Sequence, residues 1–517
     1  MSYDWDMIVA ESVDISAIIE IYDERMQEDR EESKEELKWL LNECIYKIES
    51  IDECFIDSIH EQDLAVVFKK RVADLIDHID TCDLLETSSY FTEYMKIKYK
   101  IRILLIQLAG VWSSSDWQSP SITRSELKEQ GLRQIEQNTY MRSYGSEFIK
   151  TYTQDLINAY FDMSYECRRK IIGYLTCSGM KAMEAALISY KMIVKESFPV
   201  YYQLGFYYEG ISLMESLLEN VQSLSVEEIY AKLDSEDPIG CLVLDSATTW
   251  PAYVGIDLDI LLKKVKTHKQ DNLLFIIIDR TMASISSQLI NQYGDNLPSY
   301  VVLICVESLL KYYQHGLDIT NIGIILYVGS IFRIPKFSEL INFLLKTLSA
   351  TPDPSLVRRL PRPNRTMLEI RLSRMARNTH LIFSFFQYLQ KKKLVCNALL
   401  GIDPDANLLI GKTKWVGSLL YVQLSKLYTL KDYEVISLKM VEDAPAALHF
   451  HNGTSFGFDT TRISHVFNYL EEKDESFALR ISLGTYNMKE LIFITQYIFH
   501  HFTRLQTILC EKLNKDQ

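Results

Sequence analysis

SYVVLICVESLLKYYQHGLD, residues 299–318, decides how the chain is read. It opens with an unbroken apolar run, Tyr300–Val306, of the kind a strand buried on both faces requires. Glu307 and Ser308 end the run. Lys311 follows, with Tyr312, Tyr313 and His315 behind it. Most lysines are solvated surface residues. One just past the carboxyl end of a buried α/β strand sits where open sheets bind ligands. In a desolvated pocket its pKa falls and its amine becomes a nucleophile.

The same texture recurs on both sides. GCLVLDSATTWP (240–251), NLLFIIIDRT (272–281) and NIGIILYVGS (321–330) each read as a buried strand ending in polar residues. IIGYLTCSGMKAMEAALISYKMIV (171–194) reads as a short strand, a turn and a long helix. Apolar strands separated by helical stretches predict an α/β fold with a mostly parallel sheet. Beyond residue 335 the pattern is mixed. FSELINFLLKTL (337–348) and residues 365–393 read as helices, KDYEVISLKM (431–440), PAALHFHNG (445–453) and FALRISLG (477–484) as strands, and residues 487–509 as a closing helix. Residues 1–110 have helical spacing throughout, and 113–126 has linker composition. The expected division is an acidic helical extension (1–112), a linker and entry segment (113–134), a large α/β domain (135–340) and a smaller C-terminal α+β domain (341–517).

Composition bounds the function. The 517 residues are 47% hydrophobic and 24% charged, as in a soluble globular protein of more than one domain. No apolar run reaches membrane-span length, and the acidic start lacks the basic segment of a secretory signal. Nine cysteines without a C-x-x-C pair point to reduced thiols and a cytoplasmic location. The net charge is −14, and residues 1–50, with fifteen acidic and five basic side chains, carry ten of those charges. General attraction to nucleic acid is therefore not expected. The acidic run DERMQEDREESKEELK (23–38) reads as a solvated helical face or linker. Seven arginines in RRLPRPNRTMLEIRLSRMAR (358–377) read as a connecting helix whose partners are carboxylates, those of the acidic N-terminal region among them. His449 and His451, and the adjacent His500 and His501, lack a third ligand at sensible spacing, so no metal site is expected.

Three strand ends carry chemistry. TCSGMKAME has Ser178 and Gly179 where a strand gives way to a helix, and free backbone N–H groups there suit a phosphate. LFIIIDRT ends in Asp279, a carboxylate that needs a partner such as a protonated ring nitrogen. Lys311 completes the set. A phosphate turn, a strand-end Asp and a strand-end Lys, in that order, are what pyridoxal phosphate requires.

At these residues the chain resembles the Cys/Met-metabolism family of pyridoxal-phosphate enzymes, the cystathionine synthase and lyase group of fold type I. The resemblance spans roughly residues 135–500. YMRSYGSEF is similar to the family's Tyr-x-Arg segment, which implies that Tyr140 and Arg142 reach the phosphate of a neighbouring subunit's cofactor. TCSGMKAMEAAL implies that Ser178, Gly179 and Met180 bind phosphate, and FYYEGISLM that Tyr208 stacks on the ring. IIIDRTMAS implies a pyridinium partner in Asp279 with Thr281 beside it. ESLLKYYQHGLD implies a phosphate ligand in Ser308 and the Schiff-base lysine in Lys311. TSFGFDTTRISH and ALRISLGTYN imply that Ser455 and Arg480 hold the substrate's α-carboxylate.

The resemblance implies a divergent member. Leu310 replaces the family's Thr before the lysine, Arg280 its Asn after the Asp, and Glu209 the first Gly of its tyrosine motif; Thr249 or Trp250 stands where an Asn would touch the ring oxygen. The implied activity is γ-elimination or γ-replacement on a homoserine-, methionine- or sulfonium-type amino acid, forming a C–S or C–C bond in specialised biosynthesis. Lys311, Tyr208 and Asp279 are the implied catalytic residues. The alternatives are β-elimination and a non-catalytic scaffold. The shared phosphate site implies a homodimer or homotetramer. No membrane partner is expected.

Overall fold

The computed structural model describes residues 22–54, 59–81, 90–115, 117–119, 122–123, 147–161, 164–168, 170–194, 198–246, 255–287, 289–290, 294, 296–402, 408–467 and 477–515. Three helices come first: α1 (Tyr22–Cys54), α2 (Ile59–Thr81) and α3 (Tyr90–Ser115). After α4 (Glu147–Tyr160) the chain enters the large sheet. There β1 (Ile171–Thr176), α5 (Gly179–Ile193), β2 (Val200–Gln203), α6 (Tyr208–Leu217), β3 (Val221–Leu224), α7 (Val226–Asp234), β4 (Cys241–Asp245), α8 (Leu258–Thr267) and β5 (Leu274–Asp279) alternate. Two longer strands, β6 (Val301–Ser308) and β7 (Gly323–Gly329), follow, then α9 (Phe337–Thr347).

The spatial order is β1-β7-β6-β5-β4-β2-β3. The four pairings from β6 across to β3 are parallel, and β7 runs antiparallel to both its neighbours. This is the expected mostly parallel sheet, with one reversed strand among those read as alike. It is buried on both faces. Leu303, Leu326 and Ile276 pack beneath α4, α7 and α8, while Val302, Ile304, Ile277 and Tyr327 pack beneath α5, α6 and α9. Both faces of β6 are therefore dry, which explains the unbroken apolar run in the sequence. Ala182, Ala185 and Ala186 form the buried face of α5 and let that helix lie close on β6 and β7. Helix α9 belongs to the same core, and Cys177 N donates to Ala350 O at 2.7 Å. The boundary expected at residue 340 thus falls inside a helix.

The long helix α10 (Arg365–Lys391) leads to the second sheet, built from β8 (Asn397–Leu400), β9 (Leu419–Gln423), β10 (His451–Asn452), β11 (Arg462–Phe467) and β12 (Phe477–Ser482). Its order is β8-β9-β12-β11-β10, antiparallel except for the last pair. Helices α11 (Leu430–Glu442) and α12 (Met488–Lys515) complete it. The segment read as the strand KDYEVISLKM is α11. Thr429 and Asp432 form a reciprocal cap, and Tyr433, Ile436 and Met440 recur at helical spacing toward the core, which overrides the β-branched residues between them. PAALHFHNG holds only the two-residue β10. His449 is left-handed (φ 48°), so His449 and His451 do not share a strand face.

The N-terminal helices build the C-terminal core. Leu37, Leu40 and Leu41 of α1 and Ile97, Ile101 and Leu105 of α3 are fully buried, in one cluster with Phe386 of α10, Leu420 of β9 and Ile494 of α12. The run read as a solvated face has its inner side turned onto the arginines of α10. Arg377 reaches Asp29 at 2.7 Å, and Arg374 reaches Glu32 at 2.5 Å and the Asp29 carbonyl at 2.8 Å. Arg362 holds both oxygens of Glu43, Nε at 3.2 Å from Oε2 and Nη2 at 2.9 Å from Oε1, the forked geometry a carboxylate prefers. Carboxylate partners for the arginine-rich segment, the acidic N-terminal run included, are what the sequence suggests.

One apolar core shared by α1–α3 and the second sheet should melt as one unit. Leu40→Ala is expected to cost about 2–5 kcal/mol and to lower the melting of the whole C-terminal half, read by calorimetry. A separate early transition confined to the N-terminal helices would contradict the shared core.

Candidate active site

The carboxyl ends of β4, β5 and β6 align in register, Asp245 opposite Asp279 and Asp279 opposite Val306, so three strands deliver polar residues to one edge. A cavity of about 590 Å³ lies there. Ser178, Gly179, Met180, Tyr208, Asp279, Thr281, Ser308, Lys311, Ser455 and Arg480 all line it. These are the ten site residues of the sequence reading that fall among the described residues. Tyr140, Arg142, Thr249 and Trp250 lie outside the described residues.

Its floor is the turn from β1 into α5. Ser178 caps α5, accepting from Lys181 N at 3.0 Å. The first-turn amides of Gly179 and Met180 have no intrahelical acceptor and are available to an anion. Glycine is needed here for close approach. A Cβ on Gly179 would lie 2.7 Å from Ser308 Cβ, and one on Gly323 would lie 2.5 Å from the Ser178 carbonyl oxygen. The α5 turn, the end of β6 and the start of β7 are thus packed backbone to backbone. Ser308 N donates to Thr281 Oγ1 at 3.0 Å, and Thr281 N donates to Asp279 Oδ1 at 2.8 Å, so the two strand ends also hold each other.

Burial pushes the Asp279 carboxyl up, against hydrogen bonds from Thr281 and the charge on Lys311. A cationic ring nitrogen would relieve that cost. Arg280, which replaces the family's Asn, faces the other way, because successive strand residues alternate. Its guanidinium is buried over the Phe161 ring at 4.5 Å and donates to the Ser284 and Ser287 carbonyls. Leu310 does line the cavity, putting a methyl-bearing side chain where the family's hydroxyl was expected.

Lys311 Nζ donates to Ser455 Oγ at 2.6 Å and lies 5.3 Å from the centre of the Phe456 ring. Burial, then the positive charges of Arg480 and Arg462, lower its pKa to about 8. Arg480 projects from β12, where Tyr421 and Ser464 flank it in register. Its Nε is buried with no hydrogen-bond partner, and among the described residues no carboxylate forms an ion pair with it. A buried donor of this kind calls for an anion. Tyr208 begins α6 at the cavity mouth, its ring 51% exposed and its hydroxyl 3.1 Å from Glu209 Oε1.

The cavity also holds residues the sequence reading passed over, namely Asp245, Asn321, Thr454, His465 and Phe467. Asp245 ends CLVLD as Asp279 ends LFIIID, so the same argument would have found it. Nothing local marks the others, which the tertiary fold alone brings to the rim. No cluster of three or more His, Cys, Asp or Glu side chains able to hold a metal ion occurs among the described residues, and none of their helices is long and apolar enough to cross a membrane.

No protein-family model matches the chain, and no curated protein matches it. Solved structures do. One, described as an O-acetylhomoserine (thiol)-lyase of Campylobacter jejuni subsp. jejuni and holding N′-pyridoxyl-lysine-5′-monophosphate, is 15% identical, with 74% of this chain and 93% of that one covered at a TM-score of 0.50. A methionine γ-lyase from Micromonospora echinospora (14% identity, 69% and 85% covered, TM-score 0.48) and a serine palmitoyltransferase from Sphingomonas wittichii (12%, 78% and 84%, 0.49) also match. The first of these likenesses, together with the sheet order described above, establishes the architecture: the chain has the fold type I arrangement of pyridoxal-phosphate enzymes.

Proposed function

We propose that the cavity binds pyridoxal phosphate and that the chain is a pyridoxal-phosphate-dependent enzyme acting on an amino acid. The observation that carries this reading is the placement of Lys311. Its amine has a pKa lowered to about 8 and stands in one cavity with a strand-end Asp279 and the open start of α5. The residues fit the cofactor at each of its polar ends. The Gly179 and Met180 amides, with Ser308 and Thr281, form a backbone-lined cradle for the phosphate. Asp279 would answer the ring nitrogen, Tyr208 would cover a ring face, and Lys311 would hold the aldehyde. When bound, the cofactor supplies an electron-withdrawing ring conjugated to the substrate's α-carbon.

The chain's own residues do the rest. Arg480 and the Ser455 hydroxyl bind the substrate carboxylate, which answers the buried Nε and fixes the α-carbon above Lys311. Freed from the cofactor, Lys311 is close enough to neutrality to take the α-proton, and the Ser455 hydroxyl orients its amine. Departure of a γ-substituent and its replacement would require the same amine to move a second proton at the neighbouring carbon. The buried aromatic wall Phe456 keeps water from the Lys311 amine. Resemblance of seven segments to the Cys/Met-metabolism family supports γ-elimination or γ-replacement on a homoserine-, methionine- or sulfonium-type substrate. β-Elimination starts from the same proton transfer. The resemblance of YMRSYGSEF to a segment that reaches a neighbouring subunit's phosphate supports a homodimer or homotetramer with shared sites.

Purified protein supplied with pyridoxal phosphate is expected to gain a visible absorption band that amino-acid substrates shift. Lys311→Ala is expected to lack it while melting normally, and a wild-type protein without the band would refute cofactor binding. The pH dependence has a definite sign. A lysine amine reacts when neutral, so the rate of cofactor uptake by the apoprotein should rise with pH and level off above about 8. An ordinary exposed lysine would show a rise continuing toward about 10.4.

A further inference from the structure

Side chains from the middle of α1 and α3 reach the loop that carries Ser455. Lys98 of α3 and Glu36 of α1 are buried beside Asp459, which lies four residues after Ser455. Lys98 Nζ lies 3.0 Å from Asp459 Oδ2, 3.1 Å from Glu36 Oε1 and 2.7 Å from the Tyr94 hydroxyl. Arg371 of α10 closes the cluster, with Nη1 2.5 Å from Asp459 Oδ1 and 3.6 Å from Glu36. Its other nitrogen, Nη2, donates to the Gly457 carbonyl at 3.0 Å.

Gly457 (φ 86°) lies against Lys311, so tightly that a Cβ there would sit 2.2 Å from the Lys311 carbonyl oxygen. The other side of the loop is held from the same helices. His315, four residues past Lys311 and fully buried, packs edge-on against Trp39 of α1 at 4.5 Å, with Nδ1 3.5 Å from Glu36 Oε1. Arg102 of α3 donates to the Asp318 carbonyl at 2.8 Å. The Gly316 Cα, at φ 74°, faces the Asp459 carboxylate and the Arg371 guanidinium. Two acidic and two basic side chains from four parts of the chain thus meet under the Lys311–Ser455 hydrogen bond.

We propose that Glu36, Trp39 and Lys98 are positioning residues of the active site, and that the N-terminal helices act as a buttress holding the Lys311 and Ser455 loops in the geometry the cofactor needs. A buried ion cluster is a poor source of net stability but a strong constraint on arrangement. Burial pushes the Glu36 and Asp459 carboxyls up, and Lys98 and Arg371 outweigh it, so both stay ionised. Removing Lys98 leaves two carboxylates facing one guanidinium. The loops must then open to admit water, and Lys311 is hydrated with them. The groups facing Lys311 itself are Arg480, Arg462, Asp318, Glu209 and Asp279, none of which the N-terminal helices supply.

The inference rests on the cofactor reading, and its test separates the two. Full-length Lys98→Met and Glu36→Gln would be compared with Ile229→Ala, a fully buried α7 residue over β2 and β3 at the far edge of the large sheet that serves as a destabilised control. In the apoproteins, hydrogen exchange of amides 309–318 and 454–460 is expected to accelerate in the two cluster variants and not in the control. With pyridoxal phosphate, the cluster variants are expected to bind about tenfold more weakly, and the pH midpoint of uptake is expected to move upward from about 8, the control again staying in place. Folded cluster variants with unchanged loop exchange, or with changes matched by Ile229→Ala, would overturn the buttress. Failure of the wild type to take up cofactor would overturn the cofactor reading and leave the exchange comparison decisive for this one.

Discussion

The carboxylate of Asp459 is the constraint around which the molecule is arranged. Its side chain is shut away from water, where an unanswered charge is untenable. Its partners come from α3 and α10, far apart in the chain, so neither domain could bury it alone. Satisfying this one group brings the N-terminal helices, the long connecting helix and the loop after β10 to a single point. The shared apolar core around Leu40, Phe386 and Leu420 gives the assembly its adhesion. The ions decide how it is aligned.

That division of labour explains why an extension so unlike the rest of the chain is not an appendage. In a fold type I architecture the large sheet brings Asp279 and Ser308 to one edge by strand register, and Lys311 follows three residues beyond the strand. The second sheet brings Arg480 by its own register. Nothing within either sheet sets the distance between Lys311 and Ser455, which lie on loops from different domains. Direct contacts join them, Tyr312 Oη to Ser418 Oγ at 3.0 Å and Gly457 against the Lys311 carbonyl, and the ion cluster lies beneath.

Much of this was legible in the residues. Unbroken apolar runs ending at Asp279 and Ser308 located the strands, and their polar ends located the site. The alternation of strand side chains turns Arg280 away from Asp279, so a substitution that looks disruptive when the residues are compared position by position points out of the cavity. Other features could not be read locally. Glu36 sits in a run where acidic residues crowd one another, and only its contact with residues hundreds of positions away separates it from solvated neighbours. KDYEVISLKM has β-branched residues that suit a strand and an apolar spacing that suits a helix. The cap at Thr429 and the core beneath Tyr433 decide between them.

The reversed strand β7 has a mechanical consequence. Because β7 returns alongside β6, the segment Leu309–Ile322 leaves and re-enters the sheet at neighbouring positions. Ser308 pairs with Gly323 in the ladder, and Leu309 N donates to Ile322 O at 2.9 Å. Lys311 is therefore carried on a stitched noose rather than on a free crossover, and its backbone sits two residues from the knot. Any travel of its amine between substrate atoms has to come from rotation about the side-chain stem. Access for a substrate must then be granted from the opposite wall, where Tyr208 and Phe467 stand partly open to solvent.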